Sequence, residues 1–171
     1  MKVIDILNNT DNPVFSFELV PPLKGGDINK IYEAIEPLIA LAPPFINITF
    51  HRDEVVYREY PDGTIKKVTV TKRPGSVALA AAIMRRYNVD MVPHIVCGGA
   101  TRHKIENELI DLNFLDIENV MALRGDPIPG ERFFTPEEGG HQYSCELVEQ
   151  ITRMNHGQYL DDTLTDTVPT N

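Results

Sequence analysis

Basic residues are scarce in this chain, cysteines scarcer, and long apolar runs absent. Only 16 Lys and Arg stand against 25 Asp and Glu, a net charge of −9. Nucleic acid and anionic membrane surfaces both need a basic footprint, so neither is an expected partner. No apolar run approaches the roughly 20 residues of a transmembrane helix. The N-terminal MKVIDILNNTDNP lacks the apolar core and small-residue cleavage site of a signal peptide. Cys97 and Cys145 are the two cysteines and form no CxxC pair, which excludes a disulfide framework. These absences predict a reduced, cytoplasmic protein. The chain also has no GxGxxG pattern and no Walker lysine. No second histidine or carboxylate stands at metal-ligand spacing around His94, so no metal site is predicted.

Strand and helix patterns alternate along the 171 residues, a length that suits one domain. VFSFELV (14–20), FINITF (45–50), MVPHIVC (91–97) and ENVMALRG (118–125) read as strands, rich in β-branched and aromatic residues. Asp27 is placed to cap a helix carrying Ile28, Ile31, Ile35, Leu38 and Ile39, with Pro37 expected to kink or end it. An Ala-rich helix is expected over 75–87. Another runs from a Thr101 cap to about 115, and a last one spans about 143–154. Between the second and third strands, VVYREYPDGTIKKVTVT (55–71) places two β-prone runs around Asp62-Gly63, a hairpin signal. Setting that insertion aside leaves four βα units of similar size.

Apolar strands alternating with helices imply an α/β fold with a parallel sheet. Two architectures fit: an open doubly wound sheet, or about half of a TIM (β/α)8 barrel with an inserted β-hairpin. HGQYLDDTLTDTVPTN (156–171) has no apolar periodicity and no Lys or Arg. As a polar loop it favours the partial barrel, one unit over 1–171 whose tail would precede a fifth strand.

In parallel α/β folds, sites form at the C-terminal ends of strands. Glu18 lies in an apolar strand, where burial would suit a general acid and exposure a plain salt bridge. Thr49 and Phe50 end the second strand, and His51-Arg52-Asp53 form either a site rim or a solvated hairpin base. His94 reads as a core histidine or a site residue. Gly98-Gly99 lets backbone approach a ligand. Arg124, Gly125 and Asp126 follow the fourth strand, either as a ligand grip or as a surface pair in a turn. Tyr143 and Ser144 open the last helix, where Ser144 is a candidate cap. The reaction does not follow from these residues alone.

SFELVPP (16–22), NITF (47–50), VPHIVC (92–97), ALRGDPIPG (122–130) and QYSCELV (142–148) occur in that order. Together they resemble the flavin-dependent methylenetetrahydrofolate reductases of the bacterial type, over residues 14 to 155. The resemblance implies a TIM barrel that binds FAD at the strand ends. It implies hydride transfer from NAD(P)H through the flavin to 5,10-methylenetetrahydrofolate, giving 5-methyltetrahydrofolate. Glu18 matches the family's general acid. Asp126 matches the Asp near the flavin ring that also holds the pterin. Arg124 and Gly125 resemble FAD contacts, and Thr49, Phe50, His94, Tyr143 and Ser144 fall at further flavin positions. Phe50 replaces a Tyr of some members, which removes a hydroxyl. The family's second barrel half supplies further FAD and folate contacts, so these residues alone are expected to bind FAD weakly or not at all and to have little activity. Open sheet edges make a homo-oligomer the expectation. The choice between NADH and NADPH stays open. So do two rivals: a non-catalytic or oligomeric binding module, and an unrelated βα enzyme using Gly98-Gly99 to hold a small anionic metabolite.

Overall fold

The computed structural model describes residues 1–170. In chain order the first elements are α1 (Val3–Asn8), β1 (Phe17–Leu19), α2 (Ile28–Ile39), β2 (Phe45–Ile48), β3 (Glu54–Glu59) and β4 (Ile65–Val70). Then come α3 (Ser76–Tyr87), β5 (Asp90–Val96), α4 (Arg102–Phe114), β6 (Met121–Leu123) and α5 (Ser144–Met154). Two of the caps foreseen in the sequence, Asp27 and Thr101, hold. Asp27 accepts the Asn29 N–H at 2.9 Å and starts α2, and Thr101 accepts the Lys104 N–H at 3.2 Å and starts α4. Asn88 ends α3 in the left-handed conformation, at φ 52°.

β1, β2, β5 and β6 form one parallel sheet in that order, while β3 and β4 pair antiparallel as the expected hairpin. The strand order follows the chain and never reverses. A doubly wound sheet needs a reversal, so the order selects the partial-barrel architecture. The packing agrees. Ile46, Ile48, Met91 and Ile95 of the sheet meet Ile35, Leu79, Ile83, Ile105, Leu112 and Leu147 of the helices in one core. The register puts Glu18 beside Asn47, Asn47 beside Val92, and His94 beside Met121. Parallel neighbours share a face, so these residues line the side away from the helices, the interior of a closed barrel.

One element was not read in the sequence. The helix α1 has no cap signal, and at six residues it is too short to stand alone. Tertiary contacts hold it. The Met1 amine lies 2.7 Å from Asp90 and 3.0 Å from Glu118, and Val3 N–H donates to Asn119 Oδ1 at 2.8 Å. Pro37 is tolerated inside α2, which ends two residues later. The polar stretch from 156 onward folds back on α4 and α5, and its Asn171 lies outside the described residues. Leu160 N–H donates to Glu106 at 2.7 Å, and Thr170 N–H to the Met154 carbonyl at 3.1 Å.

Candidate functional site at the strand ends

The β5–β6 pairing continues past the strands. Cys97 N–H donates to the Leu123 carbonyl at 3.0 Å, and Gly98 N–H to that of Arg124 at 3.1 Å. This holds the Arg124-Gly125-Asp126 loop against the turn after β5. Gly125 has φ +86°, and a Cβ there would come 2.6 Å from Val96 Cγ1. Both the backbone and the space require glycine. Leu123, Arg124, Gly125, Asp126, Tyr143 and Ser144 line an open cavity of about 440 Å³. Five of the predicted site residues therefore meet in one place. A larger cavity, about 620 Å³, lies by α1 at the opposite end of the sheet and holds none of them.

Arg124 is free to serve a ligand. Its Nε lies 3.4 Å from the Gly125 carbonyl and its guanidinium 5.4 Å from the Phe134 ring centre, and it has no carboxylate partner among the described residues. Arg52 Nη1 donates to the Asp126 carbonyl at 3.1 Å, which ties the segment after β2 to that loop. Ser144 is not the cap of α5; Tyr143 occupies that position. Glu146 reaches back to the N–H groups of Gln142 and Tyr143, at 2.7 and 3.2 Å, and orients the segment that enters the cavity. Those bonds lower the Glu146 carboxyl's proton affinity. Phe134 and Glu146 were missed in the sequence. A Glu three positions after a helix start was the available signal for the second, whereas Phe134 left none.

The second group spans the barrel-facing side. Glu18 Oε2 of β1 and His94 Nε2 of β5 approach to 3.7 Å across the intervening strand β2. Strands two apart in a sheet lie nearly 10 Å from each other, so the two side chains lean toward each other over β2 to meet. Of the two readings of Glu18, exposure holds: its side chain is 57% exposed. β1 is an outer strand, and nothing packs over its barrel face. His94 is 5% exposed, and burial pushes its proton affinity down, partly offset by Glu18. Its buried Nε2 has no hydrogen-bond partner. Such an atom is costly unless a ligand or water completes it. Thr49 stands beside this pair but is partly committed: its Oγ1 donates to the Leu19 carbonyl at 3.3 Å and meets His51 Nε2 at 3.2 Å. Phe50 is half-buried at the same strand end and does not line the cavity. Among the described residues no group of three His, Cys, Asp or Glu could hold a metal ion, and no helix is long and apolar enough to cross a membrane.

A one-way parallel βα sheet, with polar groups gathered at its strand ends, defines a protein of the TIM-barrel class. The comparisons narrow that class. The methylenetetrahydrofolate reductase family model matches residues 2–166, and the chain belongs to that family. It is 28% identical over 167 residues to "Methylenetetrahydrofolate reductase (NADH) 1" of Arabidopsis thaliana, covering 96% of this chain and 25% of the relative. It is 26% identical over 133 residues to "5,10-methylenetetrahydrofolate reductase" of Salmonella typhimurium, covering 78% of this chain and 38% of the relative. A Caenorhabditis elegans relative, "Probable methylenetetrahydrofolate reductase (NADPH)", is 24% identical over 91% of this chain and 21% of its own length. The chain thus spans about a quarter of the plant relatives' length.

Proposed function

We propose that residues 1–171 form one partial-barrel unit of a flavin-dependent methylenetetrahydrofolate reductase. The whole enzyme would carry hydride from NADH or NADPH to 5,10-methylenetetrahydrofolate and release 5-methyltetrahydrofolate. The observation that carries this reading is the buried, unpartnered Nε2 of His94, 3.7 Å from Glu18 at the open ends of the strands. A site that leaves such an atom unsatisfied fits a ligand with polar ring edges.

The residues fit FAD, which when bound supplies a two-electron store between donor and folate. Arg124 has a fork of donors without a carboxylate, and Gly125 brings backbone to the cavity wall. Tyr143 and Ser144 line the same cavity, and Thr49, Phe50 and His94 would meet the flavin from outside it, at the ends of β2 and β5. Asp126 would stand by the flavin ring and orient the pterin. Its carboxylate disfavours added negative charge nearby.

Glu18 would give a proton from its carboxyl to the ring nitrogen that leaves as the folate's five-membered ring opens. The methylene carbon then takes the hydride. A carboxylic acid keeps its proton near neutral pH only where water is displaced from it. Glu18 stands open on the barrel face, so the bound substrate would be its cover. The open edges of β1 and β6 also favour a homo-oligomer, which sedimentation would detect. The test of the whole reading is the purified chain mixed with FAD, gel-filtered and read for flavin absorbance. A weakly held band, reduced further by Arg124→Ala, is expected. A band that Arg124→Ala leaves unchanged overturns the site.

A further inference from the structure

The hairpin β3–β4 is a structural unit that neither the four-stranded sheet nor the proposed chemistry uses. Its two ends are tied to the rim of the site. Arg52, just before β3, donates to the Asp126 carbonyl. Just after β4, the Lys72 carbonyl accepts the Lys24 N–H at 2.9 Å, and Arg73 donates to the Pro21 carbonyl beyond β1. The hairpin therefore rises from the loops after β1, β2 and β6. Strands of six residues reach about 20 Å.

Its charge runs against the rest of the molecule. From Arg52 to Arg73 six basic residues stand with four acidic ones, in a chain of net −9. The register places Arg58 directly opposite Lys66. Cross-strand neighbours of this kind have Cβ atoms about 5 Å apart, where like charges destabilise the pair. A lone two-stranded hairpin has little stability to spare. Yet neither cation has a carboxylate partner among the described residues; Lys66 lies 5.0 Å from the Tyr60 ring, and Lys67 opposite Tyr57 is also unpaired. Of the segment's four acids, Glu54 is engaged with Lys72 and Asp62 with Thr64 in the turn, while Asp53 and Glu59 form no ion pair with either cation.

We propose that the hairpin is a docking arm for the multiply anionic tail of a substrate held at the strand ends, with Arg58 and Lys66 as its paired cation site. This rests on the folate reading. Two tails share the chemistry: the glutamate carboxylates of a folate and the diphosphate of the dinucleotide donor. The reach of the arm beyond the rim favours the glutamates, which extend outward from the pterin end.

The test titrates the protein with 5-methyltetrahydrofolate bearing one or three glutamates, with NADH, and with free tri-γ-glutamate. The three-glutamate folate should bind roughly tenfold tighter than the one-glutamate form, by a margin that shrinks with salt. R58Q/K66Q should erase that margin and leave the one-glutamate form unchanged. R58E/K66E should invert it. Circular dichroism checks that both variants fold; R58Q/K66Q removes the like-charge pair, whereas R58E/K66E replaces it with one of opposite sign. If the variants weaken NADH alone, the arm stands and its tail is the diphosphate. If neither folate binds but tri-γ-glutamate does so through Arg58 and Lys66, the arm stands and the folate reading fails. Equal binding of both folates, or a margin that survives R58Q/K66Q with NADH unmoved, overturns the arm.

Discussion

The two central strands and the two outer strands of the sheet carry similar residues and live in different surroundings. Ile46 and Ile48 in β2 and Ile95 in β5 are essentially inaccessible, and even the polar Asn47 and His94 are buried. In β1 and β6, by contrast, Glu18 and Met121 stand exposed on the same barrel-facing side. The difference is one of neighbours. A central strand has a partner on each edge, whereas β1 and β6 each have one. Polar residues on that face thus fall into two kinds: His94, held out of water by the fold, and Glu18, which stays in it.

The largest effect that sharpens this contrast is in packing. Ile95→Ala should cost about 2–5 kcal/mol in urea unfolding, through a cavity the core cannot close. Met121→Ala should cost under about 1 kcal/mol, since its side chain already meets solvent. Equal losses would break the distinction between centre and edge. Next comes chemistry. Glu18→Gln in the whole reductase should slow folate reduction by about 10²-fold or more while flavin-mediated NADH oxidation persists. The urea midpoint of the chain should barely move, because Glu18 is exposed. Equal loss of both half-reactions would remove its role as acid.

A smaller effect reads the central strand by pH. The His94 imidazole is held below its ordinary value of 6.5 by burial. The unfolded chain therefore binds a proton at 6.5 that the folded chain binds only at lower pH. Stability should fall as pH drops through 6.5 and level off once the folded imidazole protonates. His94→Gln should flatten that part of the profile in thermal melts. The smallest effect concerns α1. The Met1 amine is raised above its ordinary 8.0, chiefly by the hydrogen bonds to Asp90 and then Glu118. Its contribution is complete below 8.0 and lost as pH rises through the folded value. Acetylating the amine should remove it, as a slight drop in Tm at neutral pH, because the pair is exposed.

Much of the fold was legible in the residues. Asp27, Thr101 and the Asp62-Gly63 turn announced their helices and hairpin, since each acts within a few residues of itself. The family motifs pointed to Arg124, Gly125, Asp126, Tyr143 and Ser144, which share one cavity. Helix α1 was not legible, because its partners Asp90 and Glu118 lie far along the chain. Nor was the exposure of Glu18: Phe17 and Leu19 flank it as they would in a buried strand, and only the strand's place at the sheet edge separates the cases.

By itself the sequence determined the alternation of strands and helices, the helix starts, the turn of the hairpin and the family. All of these rest on local periodicity, capping and motif order. Tertiary structure alone decided the order of the strands, which side chains are desolvated, the meeting of Glu18 with His94, and the like-charge pairing of Arg58 with Lys66. Those depend on which neighbour each residue meets across the sheet. That is set by register and edge position, which no single stretch of chain encodes.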